Sequence, residues 1–154
     1  MLLALQESHA NNQAAVKELR NSVPADRNGT FASLKALLRG LRANFGAIPH
    51  TGELVGLRSA NGVHRRTVDV HTLEVVENLR GLTGFEALSP SDRDVVELAA
   101  YLHDIGKGPK ERWDDTGGLQ KVDPDHPIRA MPMLVEILTQ HVQNWDLAAA
   151  KDFA

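Results

Sequence analysis

The 154-residue chain carries 17 Lys and Arg against 20 Asp and Glu, and its net charge of -3 gives no general argument for nucleic-acid binding. It has no cysteine, which excludes disulfides, thiolate zinc sites and Cys nucleophiles and leaves His, Asp and Glu as the ordinary metal ligands. With 42% apolar residues and no apolar run long enough to span a bilayer, the expectation is a cytoplasmic protein with a real core.

Met1 to Leu5 is apolar but too short for a signal-peptide core and lacks a basic leader. From Leu2 to about Ser22, Leu5, Ala15, Val16 and Leu19 lie among helix formers, and Pro24 and Asn28-Gly29 end the pattern. Thr30 is placed to cap a second helix on which Leu34, Leu37, Leu38, Leu41 and Phe45 recur, with Gly46 past its end. Between Ile48 and Val70 the segments around Glu53–Leu57 and Gly62–His64 read as short and extended, and Asn61-Gly62 between them predicts a small hairpin. Helical spacing returns from Val70 to Leu82, with His71 at its opening.

Ser89 and Pro90 predict a capped helix start, and Val96, Ala99, Ala100 and His103 then fall at i, i+3, i+4 and i+7. This spacing puts His103 on a buried stripe, where an imidazole needs a partner or a metal. Residues 106–125 read as a long active-site loop. Pro127 to Val142 predicts a helix with Met131, Leu134, Val135, Leu138 and Val142 inward and Pro132 marking a kink or its true start; Asp146 to Phe153 is weakly helical.

The run Ala100-Tyr101-Leu102-His103-Asp104-Ile105-Gly106-Lys107 is the most informative feature. An adjacent imidazole and carboxylate at a helix exit suit a hard or borderline divalent ion, and Gly106 lets the chain turn so that Lys107 approaches the same spot. That combination points to phosphate chemistry. His71, His103, Asp104, His126 and His141 are the metal-ligand candidates, since a helical bundle whose ends converge can bring them to one centre. Helix caps or core histidines are the competing assignment for His126 and His141, and His9 and His50 read as surface residues. Arg65, Arg66 and Lys107 are candidates for a substrate phosphate, set against surface arginines and a solvated lysine; Lys110 and Arg112 are weaker candidates.

The His71, His103-Asp104 pattern resembles the HD superfamily of metal-dependent phosphohydrolases. His64 to Leu73, the upstream Gly52 to Gly56, and Asp125-His126 resemble more narrowly the HD domain of bacterial uridylyltransferase/uridylyl-removing enzymes, over about residues 47 to 142. The resemblance implies an all-α HD-domain bundle over 48–154, carrying a small extended insert and preceded by a 1–47 segment with two extra helices. It implies one or two divalent ions (Mn, Mg, Fe, Co, Ni or Zn), with Asp104 bridging or orienting water and Lys107 neutralising phosphoryl charge. The expected activity is phosphohydrolase or phosphodiesterase action on a nucleotide or nucleotidylated substrate, or else a non-catalytic regulatory domain that binds the metal or nucleotide. No membrane partner is expected, and a homodimer is one expected assembly. The family's distal Asp has no plain counterpart: Asp146 or Asp152 stands in for it, a partner chain supplies it, or the chain is part of a longer protein.

Overall fold

The computed structural model describes residues 30–59 and 66–154. The first predicted helix, the Asn61-Gly62 turn and Arg65 lie outside the described residues. Six α-helices are described: α1 Leu34–Ala43, α2 Val68–Arg80, α3 Thr83–Glu86, α4 Pro90–Leu102, α5 His126–His141 and α6 Leu147–Phe153. The fold is all-α apart from two two-residue strands, β1 (Arg58–Ser59) and β2 (Leu119–Gln120), which pair in parallel. No helix among the described residues is long and apolar enough to cross a membrane.

One core joins Leu37, Leu38 and Leu41 of α1, Val76 of α2, Leu98 and Leu102 of α4, Ile137 and Leu138 of α5, and Ala150 of α6. Each buried Leu or Ile contributes about 1.5–3 kcal/mol relative to exposure, so the helical stripes hold the bundle. The cap of α1 is Ser33, whose hydroxyl accepts from the Ala36 N–H at 3.1 Å, and not Thr30. The cause is tertiary: Phe31 exchanges backbone hydrogen bonds with His141 and Gln143 past α5, which keeps that segment extended. Ser89 caps α4 as its sequence predicts, with Pro90 in the first turn.

The buried stripe of α4 differs from the expected one. Glu97, Leu98, Tyr101 and Leu102 face inward, and His103 falls at the partly exposed rim. The one-residue rotation follows from Glu97, a carboxylate 3% exposed that both Arg42 of α1 and Arg80 of α2 grip. Arg42 donates from Nε at 2.9 Å and from its terminal nitrogen at 2.6 Å, and Arg80 reaches both Glu97 and the Tyr101 hydroxyl. Burial pushes the Glu97 pKa up, but the two guanidiniums outweigh it and hold the carboxyl below its ordinary value.

Glu97→Gln is expected to destabilise the protein by about 2–3 kcal/mol, less than a fully buried pair because both arginines are partly solvated. Since the folded-state pKa is depressed, this contribution is present above the unfolded Glu pKa and is lost as pH falls through the folded value. Urea unfolding of both proteins from pH 7 to pH 3 should show the stability gap closing with acid.

In α5, Leu138 is buried, while Met131 is 45% exposed and not inward. The helix begins at His126, so Pro132 lies inside it and does not mark its start. Residues 106–125 are more ordered than a plain loop. A 3-10 segment runs from Lys110 to Thr116, Gly117 and Gly118 turn with positive φ, and β2 ties the segment to β1. Arg58 also bridges Thr67 in antiparallel fashion.

Candidate metal centre

Three elements meet at Asp104, which lies between the end of α4 and a 3-10 turn, Ile105–Lys107. The turn packs under the first residues of α5 at a distance only glycine allows. A Cβ on Gly106 would lie 1.8 Å from the His126 carbonyl oxygen and 2.8 Å from the Ala130 nitrogen. Gly106 therefore provides room for α5, and not a left-handed turn. The close approach sets His126 against Asp104, while α2 brings in His71 from the fourth position of its first turn.

The Asp104 side chain is 3% exposed and divides its two oxygens between partners. Oδ2 lies 3.3 Å from His103 Nε2, 4.0 Å from His71 Nε2 and 2.9 Å from Lys107 Nζ. Oδ1 lies 3.3 Å from His126 Nε2. Ligand atoms of His71, His103 and Asp104 all fall within 4.8 Å of one another. Donors that share one ion at about 2.0–2.2 Å are about 3–4 Å apart, so this spacing fits a divalent ion.

The ring orientations make the same case. His103 Nδ1 is 2.7 Å from the Ala100 carbonyl and His126 Nδ1 is 2.6 Å from the Asp123 carbonyl. A carbonyl only accepts, so each Nδ1 carries a proton and each Nε2 is the atom turned to the carboxylate. Burial lowers the His126 pKa, outweighing the attraction of Asp104, so its Nε2 carries a lone pair. A lone pair facing a carboxylate oxygen is repulsive unless a cation lies between them. At His103 burial pulls the pKa down, but the hydrogen bond and charge of Asp104 raise it, so a proton or a metal ion belongs on Nε2. Asp104 is held far below the usual carboxylate range: burial opposes this, and His103 and Lys107 overcome it. The donor set is thus two or three imidazoles and one buried carboxylate, a fit for Mn, Fe, Co, Ni or Zn.

The other candidates go elsewhere. His141 ends α5, fifteen residues after His126, and at 1.5 Å per residue that places it roughly 22 Å along the helix from the centre. It cannot be a ligand there. Arg66 pairs with Glu74 at the surface and not with the cluster. Asp146 caps α6 by accepting from the Ala149 N–H at 2.7 Å, Asp152 is exposed on that helix, and neither falls in the His71, His103 and Asp104 group. His50 is half-buried against Glu136, 2.7 Å away, and is not an ordinary surface residue.

Sequence reasoning misses Arg129, Asp123 and Trp113. Arg129 donates from Nε to the Gly106 carbonyl at 3.1 Å and pairs with Asp123, whose own carbonyl holds His126. Its position three residues after His126 on a predicted helix is a usable signal, because i and i+3 share a face. Trp113 is buried and donates from Nε1 to the Lys107 carbonyl at 2.8 Å, fixing the backbone that carries the lysine. Nothing local in the sequence announces that contact.

Comparison with known proteins gives the same frame. The HD domain family model matches residues 68–150, more than half of the chain. The chain is 36% identical over 80 residues to the bifunctional uridylyltransferase/uridylyl-removing enzyme of Acinetobacter baylyi, covering 45% of the chain and 9% of that protein. It is 29% identical over 147 residues to the enzyme of the same description from Azotobacter vinelandii, covering 83% of the chain and 16% of the relative. The chain therefore spans only a small part of the length of these relatives. No solved structure matches it.

Proposed function

We propose that this chain, which belongs to the HD domain family, is a metal-dependent phosphohydrolase or phosphodiesterase acting on a nucleotide or a nucleotidylated group. The observation that carries the reading is the buried Asp104 carboxylate with imidazole Nε2 atoms of His71, His103 and His126 turned to it. The nucleotidylated substrate class is suggested by relatives whose description includes uridylyl removal.

A divalent ion held by these groups supplies Lewis-acid charge and makes water acidic enough to be a nucleophile near neutral pH. The chain's own residues do the rest. Asp104, with two oxygens facing different imidazoles, would help hold the ion and orient the attacking water. The Ala100 and Asp123 carbonyls fix the His103 and His126 rings. Lys107, 17% exposed at its side chain and 2.9 Å from Asp104 Oδ2, would neutralise charge that builds on the phosphoryl oxygens. A second reading, a binding domain without turnover, is favoured by one observation: Asp146 is used as a helix cap, so a distal carboxylate ligand is not assigned among the described residues.

Elemental analysis after anaerobic exposure to Mn or Fe tests the proposal, comparing the parent with a His103→Ala, Asp104→Ala double variant. About one or two ions per chain are expected in the parent and none in the variant. The parent should also hydrolyse bis(p-nitrophenyl) phosphate. Metal without hydrolysis of this ester or of nucleotide substrates would move the assignment to the binding domain, and no metal in the parent would overturn the phosphohydrolase reading.

A further inference from the structure

The turn that carries Asp104 is edged by two guanidiniums that the metal-site chemistry leaves unused. Arg129 comes from α5 and donates from Nε to the Gly106 carbonyl at 3.1 Å. Arg112 comes from the 110–116 segment and donates from Nε to the Gly108 carbonyl at 3.4 Å. The two anchor points are two residues apart on the chain around Lys107, so three cationic side chains border one turn.

Both arginines are tied through Nε, which leaves terminal nitrogens for a ligand; Arg129 uses one of its own on Asp123. The nearby Glu53 carboxylate is engaged in accepting from the Lys110 N–H at 3.0 Å. Burial and then the like charge of Arg112 hold Arg129 below the usual guanidinium value. Asp123 offsets one of these charges, and a bound dianion would face the rest. Arg is also the side chain whose planar fork matches phosphate oxygens.

We propose that Arg129, with Arg112 beside it, binds a second phosphate of the substrate, next to the phosphate that the Asp104 centre would activate. The preferred substrate class is accordingly one with two linked phosphates, as in a nucleoside diphosphate, over one with a single phosphate. The assignment of roles rests on the phosphohydrolase reading, but the arginine pair binds its ligand through its own charges and can be measured separately.

The test is calorimetric binding of UMP and of α,β-methylene-UDP, which differ by one phosphate and whose bridge resists hydrolysis, with metal content measured on the same samples. The parent should bind the two-phosphate probe about tenfold more tightly, the worth of one or two charge-assisted hydrogen bonds. Arg129→Gln should bring the ratio near one. Arg112→Gln, at an exposed position, should lower the ratio in part, and it serves as the readout if Arg129→Gln fails to fold. A ratio near one in the parent, or a ratio that neither variant lowers, overturns the proposal. If the parent holds no metal but keeps the ratio, the arginine site stands and the phosphohydrolase reading falls.

Discussion

Gly106→Ala should cost about 3 kcal/mol or more of stability and, in any protein that still folds, should detach His126 from the candidate centre. The added Cβ would meet three backbone atoms at 1.8–2.8 Å, the His126 oxygen and carbon and the Ala130 nitrogen. Backbone in the first turns of a helix cannot rotate away as a side chain can. The start of α5 must move outward, and overpacking of this kind costs roughly 1–3 kcal/mol even where some relaxation is available. Two contacts across the same seam go with it, the 3.3 Å approach of His126 Nε2 to Asp104 and the Arg129 bond to the Gly106 carbonyl. Gly84→Ala is the matched control: it lies in α3, where an added Cβ would have nothing within 4 Å, and it should be neutral or up to about 1 kcal/mol stabilising. Thermal unfolding of the two variants, with metal content measured on each, separates the outcomes. Equal melting temperatures for both would show that α5 does not rest on this turn as described.

What is legible in the sequence is what is local. Ser89-Pro90 announces α4 because capping and proline geometry act within one turn, and the structure keeps both. His103-Asp104 can be singled out because ligands adjacent in the chain need no folding to be near one another. The errors arise where distant groups decide. Periodicity places the α4 stripe one residue off because Glu97 counts as polar in any pattern, and only Arg42 and Arg80, from α1 and α2, offset the cost of burying it. Residue type groups His141 with His126, although helical rise over fifteen residues already separates them. Gly106 reads as a turn residue because a close approach between segments twenty positions apart leaves no local trace.

Lys107→Met should separate metal binding from turnover. Lys107 Nζ is 2.9 Å from Asp104 Oδ2, the same oxygen that faces His71 and His103, so the ammonium and a metal ion compete for one face of the carboxylate. Removing the lysine leaves the buried Asp104 with less compensating charge, so the metal-free protein should melt at a lower temperature and Mn or Fe should bind several-fold more tightly. Hydrolysis should move the other way. A cation placed to meet charge that grows on the phosphoryl oxygens is worth about 2.7–4 kcal/mol in the transition state, or roughly a hundred- to a thousandfold in kcat. Methionine keeps the length and apolar stem of the side chain, which leaves the Trp113 bond to the residue 107 carbonyl in place. The measurements are a competitive metal titration and the steady-state rate on bis(p-nitrophenyl) phosphate with metal saturating. Tighter metal with a collapsed rate is the expected pair. An unchanged rate at saturating metal would make Lys107 a counter-charge for Asp104 in the metal-free protein and nothing more, because the same 2.9 Å contact stabilises the folded chain whether or not phosphate ever enters the site.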